Sequence, residues 1–167
     1  MNLYMVSLGG KAKGCNIEVH DVQFVVADHI DNTVEALRNN WYGLPEKLHM
    51  DSHKLIKGAE GYSIRLCLEK PENKKHLFFV HLGGYKKVST QEIHDVGLFI
   101  GEADQEVKER VNKENSVADI ENHLDSLVEV EARLLSADGK TYYIDLVKSN
   151  EEYNMEPDWF GYRRIDI

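Results

Sequence analysis

The sequence predicts an α+β protein built from two pseudo-symmetric β-β-α-β-β repeats, with mostly antiparallel sheets packed into one body. Three observations predict it. First, segments recur at an offset of 74 residues: Leu3–Gly10 returns as Leu77–Gly84, Glu18–Val26 as Glu92–Ile100, and His49–Ser52 as His123–Ser126. Twelve of those 21 aligned positions are identical, where unrelated residues agree at roughly one position in twenty. A fixed internal period sets the architecture before any other reading. Second, apolar residues alternate along the repeated segments, which marks half-buried strands. Third, the chain has 167 residues, and a unit of half that size buries too little surface to be robust alone. A shared core follows.

Each repeat reads in the same order. An apolar run (3–8 and 77–82) ends in Gly-Gly, which predicts a strand leading into a turn. A polar loop follows at 11–17 and 85–91. The next strand, His20–Val26 or His94–Ile100, places Val22, Phe24 and Val26 on one face, and likewise Val96, Leu98 and Ile100. A helix follows in the first repeat, capped by Asp31 or Asn32, with Val34, Leu37 and Trp41 at helical spacing and Gly43 and Pro45 ending it. Its counterpart runs from about Asp104 to Lys113. A hairpin completes each repeat: 54–57 with 62–69 around Gly58–Gly61, and 128–135 with 141–147 around Ala137-Asp138-Gly139.

The predicted organisation is therefore residues 1–70 as the first repeat, 71–76 as a linker containing Pro71, 77–148 as the second repeat, and 149–167 as a C-terminal extension. Trp159, Phe160 and Tyr162 make that extension too apolar for a loose end, and it is expected to pack on the body as an edge strand. The alternative is an interface, which leaves open a homodimer, a protein partner or a small-molecule ligand.

The formal net charge is −9. Residues 1–74 carry nine basic and ten acidic side chains, and residues 75–167 carry eleven and nineteen. An acidic surface argues against nucleic acid, whose phosphates need clustered Lys and Arg. The apolar runs are strand-length, which argues against a membrane span. Cys15 and Cys67 both lie in the first repeat and have no counterparts in the second. They form no disulfide framework and suit a reducing cytoplasmic setting.

Three elements could carry chemistry. His20-Asp21 and His94-Asp95 open a strand, with each histidine on the apolar side. They read either as buried structural histidines or as metal ligands or acid–base groups. His49-x-Asp51 and His123-x-Asp125 place a histidine and a carboxylate on one face of an extended segment, about 7 Å apart along the chain. That donor pair suits zinc, manganese or iron; the plainer reading is a turn cap made by the Asp and the following Ser. The Gly9-Gly10 and Gly83-Gly84 pairs could present backbone amides to a phosphate or nucleotide, although no Walker pattern accompanies them. No Gly-x-Ser-x-Gly elbow is present.

Taken together, Leu8–Gly10, Glu18-x-His-Asp-Val22, Leu37-Arg-x-x-Trp41, Leu48-His-x-Asp-Ser52 and Gly61-Tyr62 resemble a bacterial family filed as domain of unknown function 1543, in two tandem copies. The second copy keeps Leu82–Gly84, Glu92–Val96 and His123–Ser126 and lacks the tryptophan. The resemblance implies a bacterial cytosolic protein and brings no activity. The histidine-bearing strand followed by a helix and further strands is also similar to the paired modules of vicinal-oxygen-chelate enzymes. Each repeat here has an extra leading strand, and the acids on the last strand, Glu69 and Asp145, are not at equivalent positions. The functional expectation is a non-enzymatic binding or interaction module. The alternatives are a metal-binding protein or metal-dependent enzyme using His20, His49, Asp51, His94, His123 and Asp125, and an anion site at the Gly-Gly pairs.

Overall fold

The computed structural model describes residues 1–114 and 121–166. It is an α+β fold in which strands dominate. The first unit contains β1 (Asn2–Lys11), β2 (Val19–Ala27), α1 (Val34–Asn40), β3 (Leu44–Leu55), the two-residue β4 (Gly58–Ala59) and β5 (Tyr62–Cys67). The second contains β6 (His76–Tyr85), β7 (Ile93–Gly101), α2 (Asp104–Glu114), β8 (Glu121–Glu129), β9 (Leu134–Ser136) and β10 (Tyr143–Lys148), and β11 (Trp159–Arg164) closes the chain.

In each unit the first strand is central. β1 pairs antiparallel with β2 and β3, and β6 pairs antiparallel with β7 and β8. At the 74-residue offset the registers agree throughout the first strand pair, and from Tyr4 to Gly9 in the second; beyond that they part, with Lys11 opposite Leu44 but Tyr85 opposite Glu121. Gly9 faces His20 on one side and His49 on the other; Gly83 faces His94 and His123. Both central strands also break register at a matching place, and β1 does so a second time between Gly9 and Lys11. Ser7 pairs with Ser52 and Leu8 with Met50, so Asp51 is the extra residue of a bulge; His81 pairs with Ser126 and Leu82 with Leu124, so Asp125 is the extra residue there.

Side-chain alternation sorts the central strands into two faces. Tyr4, Val6, Leu8, Val25, Leu37, Trp41, Leu48 and Met50 pack under α1. Phe78, Val80, Val107 and Val111 do the same under α2. The opposite faces meet each other. Leu3, Met5, Phe24 and Val26 of the first unit share one apolar cluster with Leu77, Phe79, Leu98 and Ile100 of the second. At its centre the rings of Phe24 and Phe79 meet edge to face, with centroids 5.4 Å apart.

Two expectations about the strands need correction. The Gly-Gly pairs are not turns. Gly9-Gly10 and Gly83-Gly84 lie inside β1 and β6, and none of the four has a positive φ. What they supply is a close approach. A Cβ at Gly10 would come within 2.9 Å of the Trp41 ring, and one at Gly9 within 2.5 Å of His49 Nε2. The hairpin expected from 128–135 and 141–147 also does not form. A 3-10 turn at Glu131–Arg133 interrupts the segment, and Glu131 accepts a hydrogen bond from the Ile144 amide at 2.7 Å. The strands on either side then pair across to the first unit. β9 adds parallel to β2, with Leu134 opposite Phe24, and β10 adds antiparallel to β5, with Ile144 opposite Leu66.

Neither Asp31 nor Asn32 caps α1, contrary to expectation: both lie inside a 3-10 turn (Ile30–Thr33) that precedes it, in which His29 Nδ1 accepts the Asp31 amide. Trp41 ends α1 in an extended conformation, and its indole N–H donates to Leu44 O at 3.1 Å. At the far edge of the first sheet β11 pairs antiparallel with β3, placing Arg164 opposite His49. No helix among the described residues is long and apolar enough to cross a membrane.

Candidate functional site

On a strand, residues two apart share a face. β1 brings Gly9 to the inter-unit face, and β2 and its lead-in bring Glu18 and His20 there. β3 brings His49, and the bulge turns Asp51 toward the same point. Bulges characteristically re-aim one side chain in this way. Glycine at position 9 leaves room for the group to meet above the sheet.

The result is a four-residue box. His20 Nε2 lies 3.4 Å from Glu18 Oε1 and 3.7 Å from Asp51 Oδ2. His49 Nε2 lies 3.7 Å from Glu18 Oε2 and 3.2 Å from Asp51 Oδ1. Each carboxylate therefore offers one oxygen to each histidine. The second unit repeats the pattern above Gly83. His94 Nε2 lies 3.3 Å from Glu92 Oε2 and 3.7 Å from Asp125 Oδ2, and His123 Nε2 lies 2.9 Å from Glu92 Oε1 and 2.8 Å from Asp125 Oδ1.

The candidates His20, His49 and Asp51 thus meet, as do His94, His123 and Asp125. The reading of His20 and His94 as buried structural histidines does not hold: their side chains are 60 % and 47 % exposed. The His-x-Asp-Ser segments lie within strands β3 and β8, so they cap no turn. The anion reading of Gly9, Gly10, Gly83 and Gly84 loses its turns, since all four lie within strands, and at Gly9 and Gly83 the surroundings oppose it as well. Carboxylates of Asp51 and Asp125 stand within reach of a Cβ at Gly9 and Gly83, and they would repel a phosphate. The last-strand acid suggested by the chelate-enzyme resemblance is engaged elsewhere, since Asp145 accepts hydrogen bonds from Arg65.

Sequence reasoning missed Glu18 and Glu92. The signal was present: Glu-x-His at the start of a strand puts both side chains on one face, as His-x-Asp does. It also missed His81, whose Nδ1 lies 3.2 Å from Asp125 Oδ2. That histidine stands where the first unit has Ser7, and it breaks the symmetry of the two boxes.

The electrostatics favour a cation. Each box pairs two carboxylates with two imidazoles, so neutral histidines leave a formal charge that one divalent ion cancels. His49 shows how the ligating form is set. Its Nδ1 lies 2.7 Å from Lys47 O. A carbonyl oxygen can only accept, so Nδ1 carries a proton, and in the neutral ring Nε2 is the atom whose lone pair faces the box. The residue is only 1 % exposed. Its Nε2 is buried and makes no hydrogen bond, although Asp51 Oδ1 is near. An orphaned buried nitrogen calls for an explanation. Tyr162 from β11 stacks on the same ring at 4.1 Å, which further fixes its plane. Burial pushes the Asp51 carboxyl above its ordinary range, against the pull of His49 and His20. In the second unit Tyr85 stacks on His123 at 5.5 Å. A hydrogen bond to Glu92 and that carboxylate's charge push the Tyr85 phenol up.

Residues 15–66, which contain the whole first box, match a family described as Domain of Unknown Function (DUF1543). Among solved structures, the crystal structure of a protein Il1583 from Idiomarina loihiensis is similar at 31 % identity and a TM-score of 0.75, over 97 % of this chain and 96 % of that one. Residues 15–66 thus resemble a DUF1543 domain, and the chain as a whole is related to the Idiomarina protein. No curated protein matches the chain. A match to a domain of unknown function carries no activity with it, so function must be argued from the boxes themselves.

Proposed function

We propose that this protein is a metal-binding module that holds a divalent transition-metal ion in each box, through Glu18, His20, His49 and Asp51 in the first unit and Glu92, His94, His123 and Asp125 in the second. One observation carries the reading: a buried histidine is held in its metal-ligating tautomer, with its free nitrogen aimed at two carboxylates and a second histidine. The Lys47 carbonyl plays the part of the outer-shell acceptor that orients most ligating histidines.

Geometry supports it independently. Zinc holds nitrogen and oxygen donors at about 2.0–2.2 Å, so the edge of a tetrahedral donor set is about 3.3 Å. The four N···O separations span 3.2 to 3.7 Å in the first box and 2.8 to 3.7 Å in the second. In the first box His49 is buried and fixed, so the partly exposed Glu18, His20 and Asp51 side chains must close toward it to centre an ion. Three histidine-and-carboxylate donors of the second unit, from Glu92, His123 and Asp125, already lie within 4.8 Å of one another.

We infer further that the units arose by internal duplication. Matching registers, matching bulges and matching boxes at one offset support this. A cytoplasmic, bacterial setting belongs to the same proposal, and two unpaired thiols suit it.

The test is metal analysis of protein purified without a histidine tag, followed by zinc titration. The expected result is tight binding in both units, with His49→Ala and Asp125→Ala each removing binding from its own unit and the double variant binding none. Less than about a tenth of an equivalent, before and after reconstitution, overturns the reading.

A further inference from the structure

We propose that the second unit holds two metal ions bridged by Asp125, with His81 as the ligand that admits the second ion. This rests on the metal-binding reading above and deepens it. Two donor triads are present among the described residues of the second unit. Glu92, His123 and Asp125 form one, and His81, His94 and Asp125 form the other; within each, the donor atoms lie within 4.8 Å of one another. Asp125 belongs to both and divides its oxygens between them. Oδ1 lies 2.8 Å from His123 Nε2, while Oδ2 lies 3.2 Å from His81 Nδ1 and 3.7 Å from His94 Nε2. Glu92 divides its oxygens in the same sense, between His123 at 2.9 Å and His94 at 3.3 Å. Carboxylates spanning two histidines occur in the first box as well; what the second unit adds is His81 on Asp125 Oδ2, a fifth donor that completes a second triad and lets the shared carboxylate bridge a pair of ions about 3.5–4 Å apart.

The first unit lacks the fifth donor. Ser7 occupies the position of His81, opposite Ser52 as His81 is opposite Ser126. A neutral hydroxyl is a weak ligand for a transition metal, whereas imidazole is a common one. The first box therefore holds one ion. The rings of His81 and His94 stack with centroids 4.7 Å apart. Ligand lone pairs lie in the ring plane, so a shared ion turns the two rings apart about their side-chain torsions.

The asymmetry has a chemical consequence. Glu92 and Asp125 cancel only half the charge of two divalent ions, and five protein donors leave coordination positions open on both. Those positions take water, hydroxide or an anionic oxygen ligand. His81 also lines a cleft of about 690 Å³ between the units, with Phe24, Phe79, Val128 and Leu134 among its apolar walls. His20 of the first box borders the same cleft, so a small organic anion entering it meets ligands of both boxes, and the ion pair on the His81 side offers it the greater uncancelled charge.

Zinc stoichiometry decides the matter. The first box is disabled by combining His20→Ala with Asp51→Asn, both partly exposed, and ions per chain are counted by elemental analysis after desalting. The expected count is two in that background and one when His81→Ser is added; the unaltered protein holds three. Manganese loading of the same background gives an exchange-coupled electron paramagnetic resonance spectrum, which His81→Ser converts to that of an isolated ion. A count of one that His81→Ser leaves unchanged, with an isolated-ion spectrum, overturns the bridged pair and leaves the two-box reading standing. A count near zero in the unaltered protein overturns the reading beneath it.

Discussion

Replacing Gly9 with alanine tests whether the site depends on the missing side chain. A Cβ there would lie 2.5 Å from His49 Nε2 and 3.0 Å from Asp51 Oδ2. An ordinary carbon–nitrogen contact is about 3.4 Å, so the imidazole must retreat by about 0.9 Å. It has little freedom to do so, because Lys47 O holds Nδ1 at 2.7 Å and Tyr162 covers the ring at 4.1 Å. Overpacking of this kind costs about 1–3 kcal/mol, or about 2–12 °C in melting temperature for a chain of this size. The displaced nitrogen also weakens zinc binding at least about tenfold. Calorimetric titration in an Asp125→Ala background, where the first box alone reports, gives the affinity; scanning calorimetry gives the stability. Gly10→Ala is the control. Its Cβ presses on Trp41 at 2.9 Å, on the opposite face, so it costs stability and leaves zinc affinity unchanged. Wild-type zinc affinity in Gly9→Ala would refute the proposed geometry.

Other predictions follow from contacts outside the boxes. Asp166 accepts hydrogen bonds from Arg164 and from the Lys47 amide, and its carboxyl sits at about 2. A depressed folded value stabilises above the unfolded value near 4 and loses that contribution as pH falls toward 2. The C-terminal strand should therefore loosen over that window, seen as a change in Trp159 fluorescence, and Asp166→Asn should abolish the transition; an unchanged profile in the variant contradicts it. Phe24→Ala should cost about 3–5 kcal/mol in denaturant, and a double-mutant cycle with Phe79→Ala should return about 0.5–1.5 kcal/mol of coupling. Two independent unfolding transitions would contradict a core common to both units. Arg65→Ala removes an exposed ion pair with Asp145 and should cost under about 1 kcal/mol with zinc affinity intact; a loss of affinity would place the last-strand acid back among the ligands.

Much of the scaffold was legible because it depends on local alternation. Val22, Phe24 and Val26 declare one face of β2, and the same three positions in β7 declare its counterpart. The 74-residue offset also brought both His-Asp and His-x-Asp elements to notice, since the same polar groups recur there among neighbours that differ. Three features were hidden by their physics. Gly9-Gly10 reads locally as a turn, because glycine's conformational freedom is the usual reason for its use. Here a histidine and a tryptophan, distant in sequence, require the space instead. The pairing of β10 with β5 is non-local, and the segment 128–147 contains a turn signal that suits a hairpin equally well. The bulges at Asp51 and Asp125 have no composition signal, yet they decide where those carboxylates point. Glu18 and Glu92 were visible as part of a repeated block, but a glutamate before a strand is ordinarily a solvated residue. Only the convergence of three strands makes them candidates for ligands.

The most direct measurement of the central claim is anomalous diffraction at the zinc edge from zinc-loaded crystals. The account predicts a peak above Gly9, about 2.0–2.2 Å from donor atoms of Glu18, His20, His49 and Asp51, and density at the equivalent place above Gly83. Peaks only at other surface positions, with both boxes free of anomalous signal, would contradict it.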